Sequence, residues 1–274
     1  MPRALEGKVA VVTGASRGIG KQTCLALGAL GASVVLAART EEPRARTPGT
    51  LHETAAAIRA AGGNALVVPA DLARPDDVAA LIARTLEHHG HVDVLVNNAA
   101  YTVGKALWAH VPDVTREQWE KGFTVNVTAP LLLIQGFWES MRTRGGGVVV
   151  NVTSGAANLQ GLDETVHLPG STLPSEGPLY GASKAALNRM ANVIAGEGAP
   201  HRIAVVNVEP GFVLTETMEQ TFRAEGVDAA STGAISATIP ARVIAHLCTC
   251  DDPMQYSGRI VSAPELFDEE FGAP

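Results

Sequence analysis

Tyr180 and Lys184 stand four residues apart, which on a helix sets one above the other on the same face. A free phenol titrates near ~10, too weakly acidic to exchange protons readily at neutral pH, and a fixed ammonium beside it favours the phenolate and lowers that value. The pair can therefore serve as a proton donor and acceptor. Its surroundings suit a helix: Ala182, Ala185, Ala186, Leu187, Met190, Ala191 and Ile194 form an apolar face at helical spacing, and Gly177-Pro178 is a start signal. The same spacing also fits a half-buried aromatic beside a solvated lysine, so the pair alone leaves both readings open.

A second constellation is Thr13-Gly14-Ala15-Ser16-Arg17-Gly18-Ile19-Gly20. Its first two glycines are four apart, unlike the G-x-G-x-x-G fingerprint, but the physics carries over. Gly14 permits a tight turn, Gly18 and Gly20 let the backbone be approached closely, and a helix amino terminus offers N–H groups and a positive dipole end to a pyrophosphate. A purely structural turn is the alternative, and the flanking βαβ pattern favours the dinucleotide. The end of the second strand then selects the cofactor, because an acidic residue there takes the ribose hydroxyls of NAD and a basic one suits the 2′-phosphate of NADP. Here it reads Ala37-Ala38-Arg39-Thr40, and Arg17 can join Arg39 around a phosphate through its planar guanidinium. NADP(H) is favoured; Glu41 or Glu42 folding back to a ribose leaves NAD(H) open.

The elements that must position these groups alternate along the chain. Val9–Val12, Ser33–Ala38, Ala65–Val68, Val92–Val96, Val148–Val152 and Ile203–Val208 read as strands, with Arg259–Ser262 as a seventh. Between them Lys21–Leu30, Thr54–Ala61, Asp76–His89, a long stretch from Phe123 to Met141, and the Tyr180 segment read as helices. Such alternation implies α/β architecture: a Rossmann-type, doubly wound parallel sheet with helices on both faces, expected as one domain over residues 1–274. Three segments break the rhythm: Thr40–Thr50, Gly155–Leu179 and Phe212–Pro240, the last with only weak helical patterning. All follow the carboxyl ends of strands, the edge where open α/β sheets bind ligands.

Composition narrows the function classes. Apolar residues make up 46% of the 274 and charged residues 18%, with 28 glycines, a mix suited to buried parallel strands under close-packed helices. A net charge of -7 argues against nucleic acid as a partner. No apolar run approaches the ~18 residues of a membrane helix, and no signal peptide is apparent, so the expected location is cytoplasmic. Cys24, Cys248 and Cys250 lack disulfide-like spacing and point to a reducing compartment; Cys248-Thr249-Cys250 has no second Cys/His pair, so no metal site is expected.

The glycine turn at 13–20, Asp71 after the third strand, Asn97-Asn98-Ala99 after the fourth, Ser154 after the fifth and Tyr180 with Lys184 together resemble the classical short-chain dehydrogenase/reductase (SDR) family, from about Gly7 to Ser262. The resemblance implies a nicotinamide cofactor and hydride exchange with a small-molecule carbonyl or secondary alcohol. It implies Tyr180 as general acid/base, Lys184 as the group that tunes Tyr180 and holds the nicotinamide ribose, Ser154 as donor to the substrate oxygen, and Asn126 as the anchor of a proton-relay water. It sets the cofactor against Gly14, Ser16, Arg17, Gly18, Ile19, Gly20 and Arg39, with Asp71 and Leu72 at the adenine. Asn97 would lie near the adenosine ribose with Asn98 and Ala99 beside it, and Pro210, Gly211, Val213 and Thr215 around the nicotinamide. Family members commonly form homodimers or homotetramers.

The departures from the family pattern are specific. Ala100 stands where Gly is usual, Asn207 is displaced by one position relative to the usual Val-Asn order, and Glu209 directly precedes Pro210. Ser154 and Tyr180 are 26 positions apart, about twice the family's spacing, which makes residues 155–179 an expected cap over the substrate pocket and 212–240 an expected substrate loop. The short Pro48-Gly49-Thr50 match to a hydroxysteroid dehydrogenase-like branch supports no steroid assignment. Two rivals to the NADP(H)-dependent oxidoreductase stay open: a catalytically silent cofactor-binding regulatory protein, and an NAD-dependent dehydrogenase or epimerase of the same fold.

Overall fold

A computed structural model describes residues 3–42, 48–102, 111–158 and 177–272. The strands are β1 Val9–Thr13, β2 Ser33–Ala38, β3 Asn64–Pro69, β4 Val94–Asn97, β5 Gly147–Val152, β6 Ile203–Glu209, β7 Val213–Leu214, β8 Ile235–Ser236 and β9 Ile260–Ser262. The helices are α1 Gly18–Ala29, α2 Leu51–Ala60, α3 Pro75–His89, α4 Arg116–Phe123, α5 Ala129–Thr143, α6 Pro178–Gly198, α7 Glu216–Glu225, α8 Thr238–Leu247 and α9 Ala263–Phe271. Seven strands form one parallel sheet in the order β3-β2-β1-β4-β5-β6-β9, and β7 pairs separately with β8. The order reverses direction between β1 and β4, which opens a crevice at the carboxyl ends of those two strands.

Both sheet faces are covered, which is why the strands read as valine runs rather than as alternating patterns. Val11, Val35, Leu95, Val149 and Val205 pack with Leu81 of α3, Phe137 of α5 and Ala191 of α6. Val12, Leu36, Val96, Val150 and Val206 turn to the other face, against Leu27 of α1, Leu51 of α2 and Val243 of α8. The loops at the carboxyl edge therefore rise from a sheet held between two apolar layers.

Three elements differ from the sequence expectation. The stretch from Phe123 to Met141 is not one helix: α4 and α5 are joined by a π-helical turn over Thr124–Thr128. Pro130 lacks an N–H and cannot donate to the carbonyl of Asn126 four residues back, so regular α-helical bonding fails there. Second, α2 begins at Leu51 rather than Thr54, because Thr50 and Glu53 form a capping box that the T-x-x-E spacing encodes. Third, the 212–240 segment contains α7, capped by Thr215, and the start of α8. The expected cap falls largely on residues 159–176, which lie outside the described residues.

Cys248 and Cys250 sit at the carboxyl end of α8, and all three cysteines are free thiols. Burial pushes the Cys248 thiol up to about 12 and that of Cys24 higher still, so neither forms a thiolate at neutral pH. Among the described residues no helix is long and apolar enough to cross a membrane.

The amino-terminal edge of the sheet is pinned by Asp93, whose side chain is nearly buried. Its carboxylate accepts the Val9 N–H at 2.9 Å and meets Lys8 Nζ at 3.1 Å and Arg144 Nη2 at 3.2 Å. Lys8 and Arg144 remain partly solvated and can return to water, so the main loss in Asp93→Ala is the orphaned Val9 N–H. We expect that variant to lose about 2 kcal/mol of stability, read as a lower midpoint in urea with an unchanged slope.

Candidate active site

The glycine turn is fixed to the end of β4 by a knot of short hydrogen bonds. Thr13 Oγ1 accepts the N–H groups of Asn98 and Ala99, each at 3.0 Å, and Asn98 Nδ2 returns to the Thr13 carbonyl at 2.8 Å. Asn98 lies so close over the turn that a Cβ on Gly14 would stand 2.6 Å from its Nδ2. One on Gly20 would stand 2.4 Å from both that atom and the Gly14 carbonyl oxygen. Gly14 and Gly18 also have φ of +69° and +55°, a backbone region that favours glycine. The turn thus exposes its backbone at the amino terminus of α1, where Arg17 supplies no side-chain cap and the first turn holds no acidic residue. Such an end takes an anion, and the Gly18 N–H does hold one, the carboxylate of Glu216 at 2.8 Å. A pyrophosphate fits the chemistry of this seat.

At the end of β2, Arg17 Nη2 donates to Thr40 Oγ1 at 3.0 Å, next to the exposed Arg39. The carboxyl-terminal part of the Thr40–Thr50 segment folds onto the same spot, with the ideal Cβ position of Gly49 2.5 Å from the Ser16 carbonyl oxygen. Ser16 is buried and Ile19 packs on the core beneath the turn. Asp71 is occupied locally: its Oδ1 accepts the Ala73 N–H at 3.1 Å and its own N–H donates to Asp77 at 2.9 Å, with Leu72 buried beside it. Asn97 is buried and donates to Asn151 at 2.9 Å.

On the other side of the crevice, α6 starts at Pro178 with Gly177 as its N-cap, so Tyr180 lies in the first turn and Lys184 one turn on. Lys184 is buried; its ammonium donates to the Val152 carbonyl at 2.7 Å and lies 5.7 Å from the centre of the Tyr180 ring. Val152 is the last residue of β5, and Ser154 follows it, nearly buried, with its Oγ accepting the Ala156 N–H at 3.3 Å. The turn after Ser154 touches α6, the Ala156 carbonyl oxygen standing 3.3 Å from the ideal Cβ position of Gly181. Lys184 thus ties the tyrosine helix to the strand that carries the serine.

Asn126 sits in the π-turn and is buried. Its Nδ2 donates to Ser183 Oγ at 2.9 Å, its Oδ1 accepts the Tyr101 N–H at 2.7 Å, and Ser183 Oγ donates to the Tyr180 carbonyl at 2.9 Å. It therefore links the chain after β4 to the turn that bears Tyr180. The β6 end completes the crevice: Gly211, at φ +77°, lets Pro264 and Ile235 pack close, Pro210 and Val213 are buried, and Thr215 caps α7 through Met218 N–H at 3.3 Å.

The departures from the family pattern each find a place. Arg202 is the one non-glycine with positive φ among the described residues, so Ala100 accommodates its methyl group in ordinary backbone geometry. Asn207 accepts from Asn151 at 3.2 Å and donates to the Asn188 carbonyl at 3.5 Å. Asn97, Asn151 and Asn207 are register partners on adjacent strands, forming a buried amide ladder. Glu209 is half-buried and accepts the Gly211 N–H at 3.0 Å.

The model of the short chain dehydrogenase family matches residues 8–226. The chain belongs to the short-chain dehydrogenase/reductase family. It is 37% identical over 212 residues to an uncharacterized oxidoreductase of Methylorubrum extorquens, covering 77% of this chain and 75% of that one. It is 33% identical over 215 residues to the hydroxynaphthalene reductase-like protein Arp2 of Metarhizium anisopliae, covering 78% and 72%. A metagenomic short-chain oxidoreductase solved in complex with NADP superimposes with a TM-score of 0.70 at 31% identity, covering 94% of this chain and 96% of that one. As a member, this SDR is an NAD(P)-dependent oxidoreductase with a Rossmann fold.

Because a methyl group at position 20 collides with both Asn98 and the Gly14 carbonyl, Gly20→Ala must push the turn out of shape. NADPH affinity should fall by about tenfold or more while far-UV circular dichroism stays native; calorimetric titration reads the first and a spectrum the second.

Proposed function

We propose that this SDR is an NADP(H)-dependent oxidoreductase acting on a carbonyl or secondary alcohol, with Tyr180 as the general acid/base. The observation that carries the proposal is the buried Lys184 ammonium beside the Tyr180 ring, anchored to β5 through the Val152 carbonyl. A desolvated cation there favours the phenolate form and makes the phenol a better proton donor. When bound, the nicotinamide would supply the hydride; the protein's part is orientation and charge stabilisation. In reduction, negative charge develops on the substrate oxygen, and Tyr180 and Ser154 are the donors at the crevice that would meet it. Asn126, braced by Tyr101 and Ser183 in the π-turn ahead of Pro130, holds the backbone around Tyr180. That combination suits an ordered water on the proton path.

The NADP preference rests on Arg17 and Arg39, which the fold brings to the end of β2, and on the NADP held by the metagenomic relative. The pyrophosphate would lie at the turn Gly14 to Gly20, the adenine near Asp71 and Leu72, and the nicotinamide near Pro210, Gly211, Val213 and Thr215. A carbonyl panel with NADPH tests the activity.

Tyr180→Phe should lower kcat by about a thousandfold with the NADPH dissociation constant changed little, because it removes the proton while leaving the ring. An active Tyr180→Phe protein would remove Tyr180 from the mechanism. Arg39→Asp should weaken NADPH relative to NADH by about tenfold, measured as the ratio of the two dissociation constants; an unchanged ratio would shift the preference away from Arg39.

A further inference from the structure

Glu216 is the first residue of α7, 198 positions from Gly18 in sequence, and yet its carboxylate takes the Gly18 N–H at 2.8 Å. An acidic residue at that place in a helix ordinarily serves the helix's own positive end. Here the side chain reaches across the crevice to the positive end of α1 instead. Thr215 accompanies it: its Cγ2 methyl is 3.1 Å from the ideal Cβ position of Gly18, and Glu216 Oε2 is 3.8 Å from the same point. The start of α7 is therefore seated on the glycine turn. The other acid in the first turn of α7, Glu219, is committed elsewhere, to Arg223 at 3.1 Å.

We infer that Glu216 is an internal competitor for the cofactor, a carboxylate that occupies the pyrophosphate seat until the dinucleotide displaces it. Two anions cannot share one N–H group and one helix end. Like charges at contact distance repel, and a low-dielectric crevice strengthens that repulsion. Entry of the dinucleotide releases Glu216 and with it the amino terminus of α7, so cofactor binding is coupled to rearrangement of the segment that lies over the substrate side. The inference rests on the pyrophosphate lying at Gly18, and it is independent of the NADP preference because both dinucleotides carry that group.

The test uses the full chain freed of nucleotide, with NADPH and NADH as probes and two readouts, dissociation constants by calorimetry and thermal midpoint of the nucleotide-free protein. Glu216→Gln removes the charge while keeping the shape. It should tighten both dinucleotides by about three- to tenfold and lower the midpoint of the free protein, because the charge-assisted bond to α1 is lost. These opposite signs are the signature; a merely structural glutamate would lose on both. Glu219→Gln, which removes an equal charge from the same helix, should leave the affinities where they were. Unchanged or weaker binding in Glu216→Gln overturns the inference, and so does an equal gain in Glu219→Gln, which would reduce the effect to net charge. Gly20→Ala separates this failure from a misplaced pyrophosphate: if that variant binds NADPH normally, the seat is elsewhere and the competitor falls with it.

Discussion

The hydroxyl of Thr13 accepts two backbone N–H groups from the end of β4, and the Asn98 amide closes the circle on the Thr13 carbonyl. This knot holds β1 and β4 together at the point where the sheet order reverses. A parallel sheet has no hydrogen bonds to spare beyond its strand ends, so the two loops that leave there need their own partners. Once the knot forms, the turn has one path out of β1, with Asn98 packed where any side chain at Gly14 or Gly20 would stand. The direction of α1, and so the anion seat at Gly18, follows from it.

The α6 side of the crevice depends on polar groups buried in the same layer as the apolar core. The Asn97, Asn151 and Asn207 ladder, the Asn126 bridge and the Lys184 contact to Val152 all face the α6 side of the sheet. The buried amides and the ammonium each make at least one hydrogen bond, and those bonds set the relation of α6 to β5 and to the π-turn. Tyr180 is thus placed by three separate tethers on its helix and on the strand and turn beside it. Rigid placement of this kind suits a proton donor that must meet a developing charge.

Much of this was open to reading in the chain itself. The strands are legible because fully buried parallel strands must be continuous apolar runs, as in Val9-Ala10-Val11-Val12. The glycine turn and the Tyr180, Lys184 pair are legible because their spacing is a local consequence of turn and helix geometry. The break at Asn126 was hidden by a helix-like run on either side, although Pro130 marks it, and the capping box at Thr50 was hidden inside what looked like a loop. The helix α7 was hidden by its composition, since Glu216-Thr217-Met218-Glu219-Gln220 has few apolar residues to show a face.

What the sequence by itself determined is everything that short-range geometry dictates: the alternation of strands and helices, the glycines of the turn, and a lysine one helical turn from a tyrosine. Asn97 and Asn98 show where that power stops. They are neighbours with the same side chain, and one enters the amide ladder while the other ties down the glycine turn, because successive residues near a strand end point to opposite sides. Contacts across large sequence distances were decided by the tertiary structure alone. Thr13 finds Asn98, Lys184 finds Val152 and Glu216 finds Gly18 because right-handed crossovers bring every strand's carboxyl end to one edge. No local pattern of residues encodes which loop of that edge will lean on which.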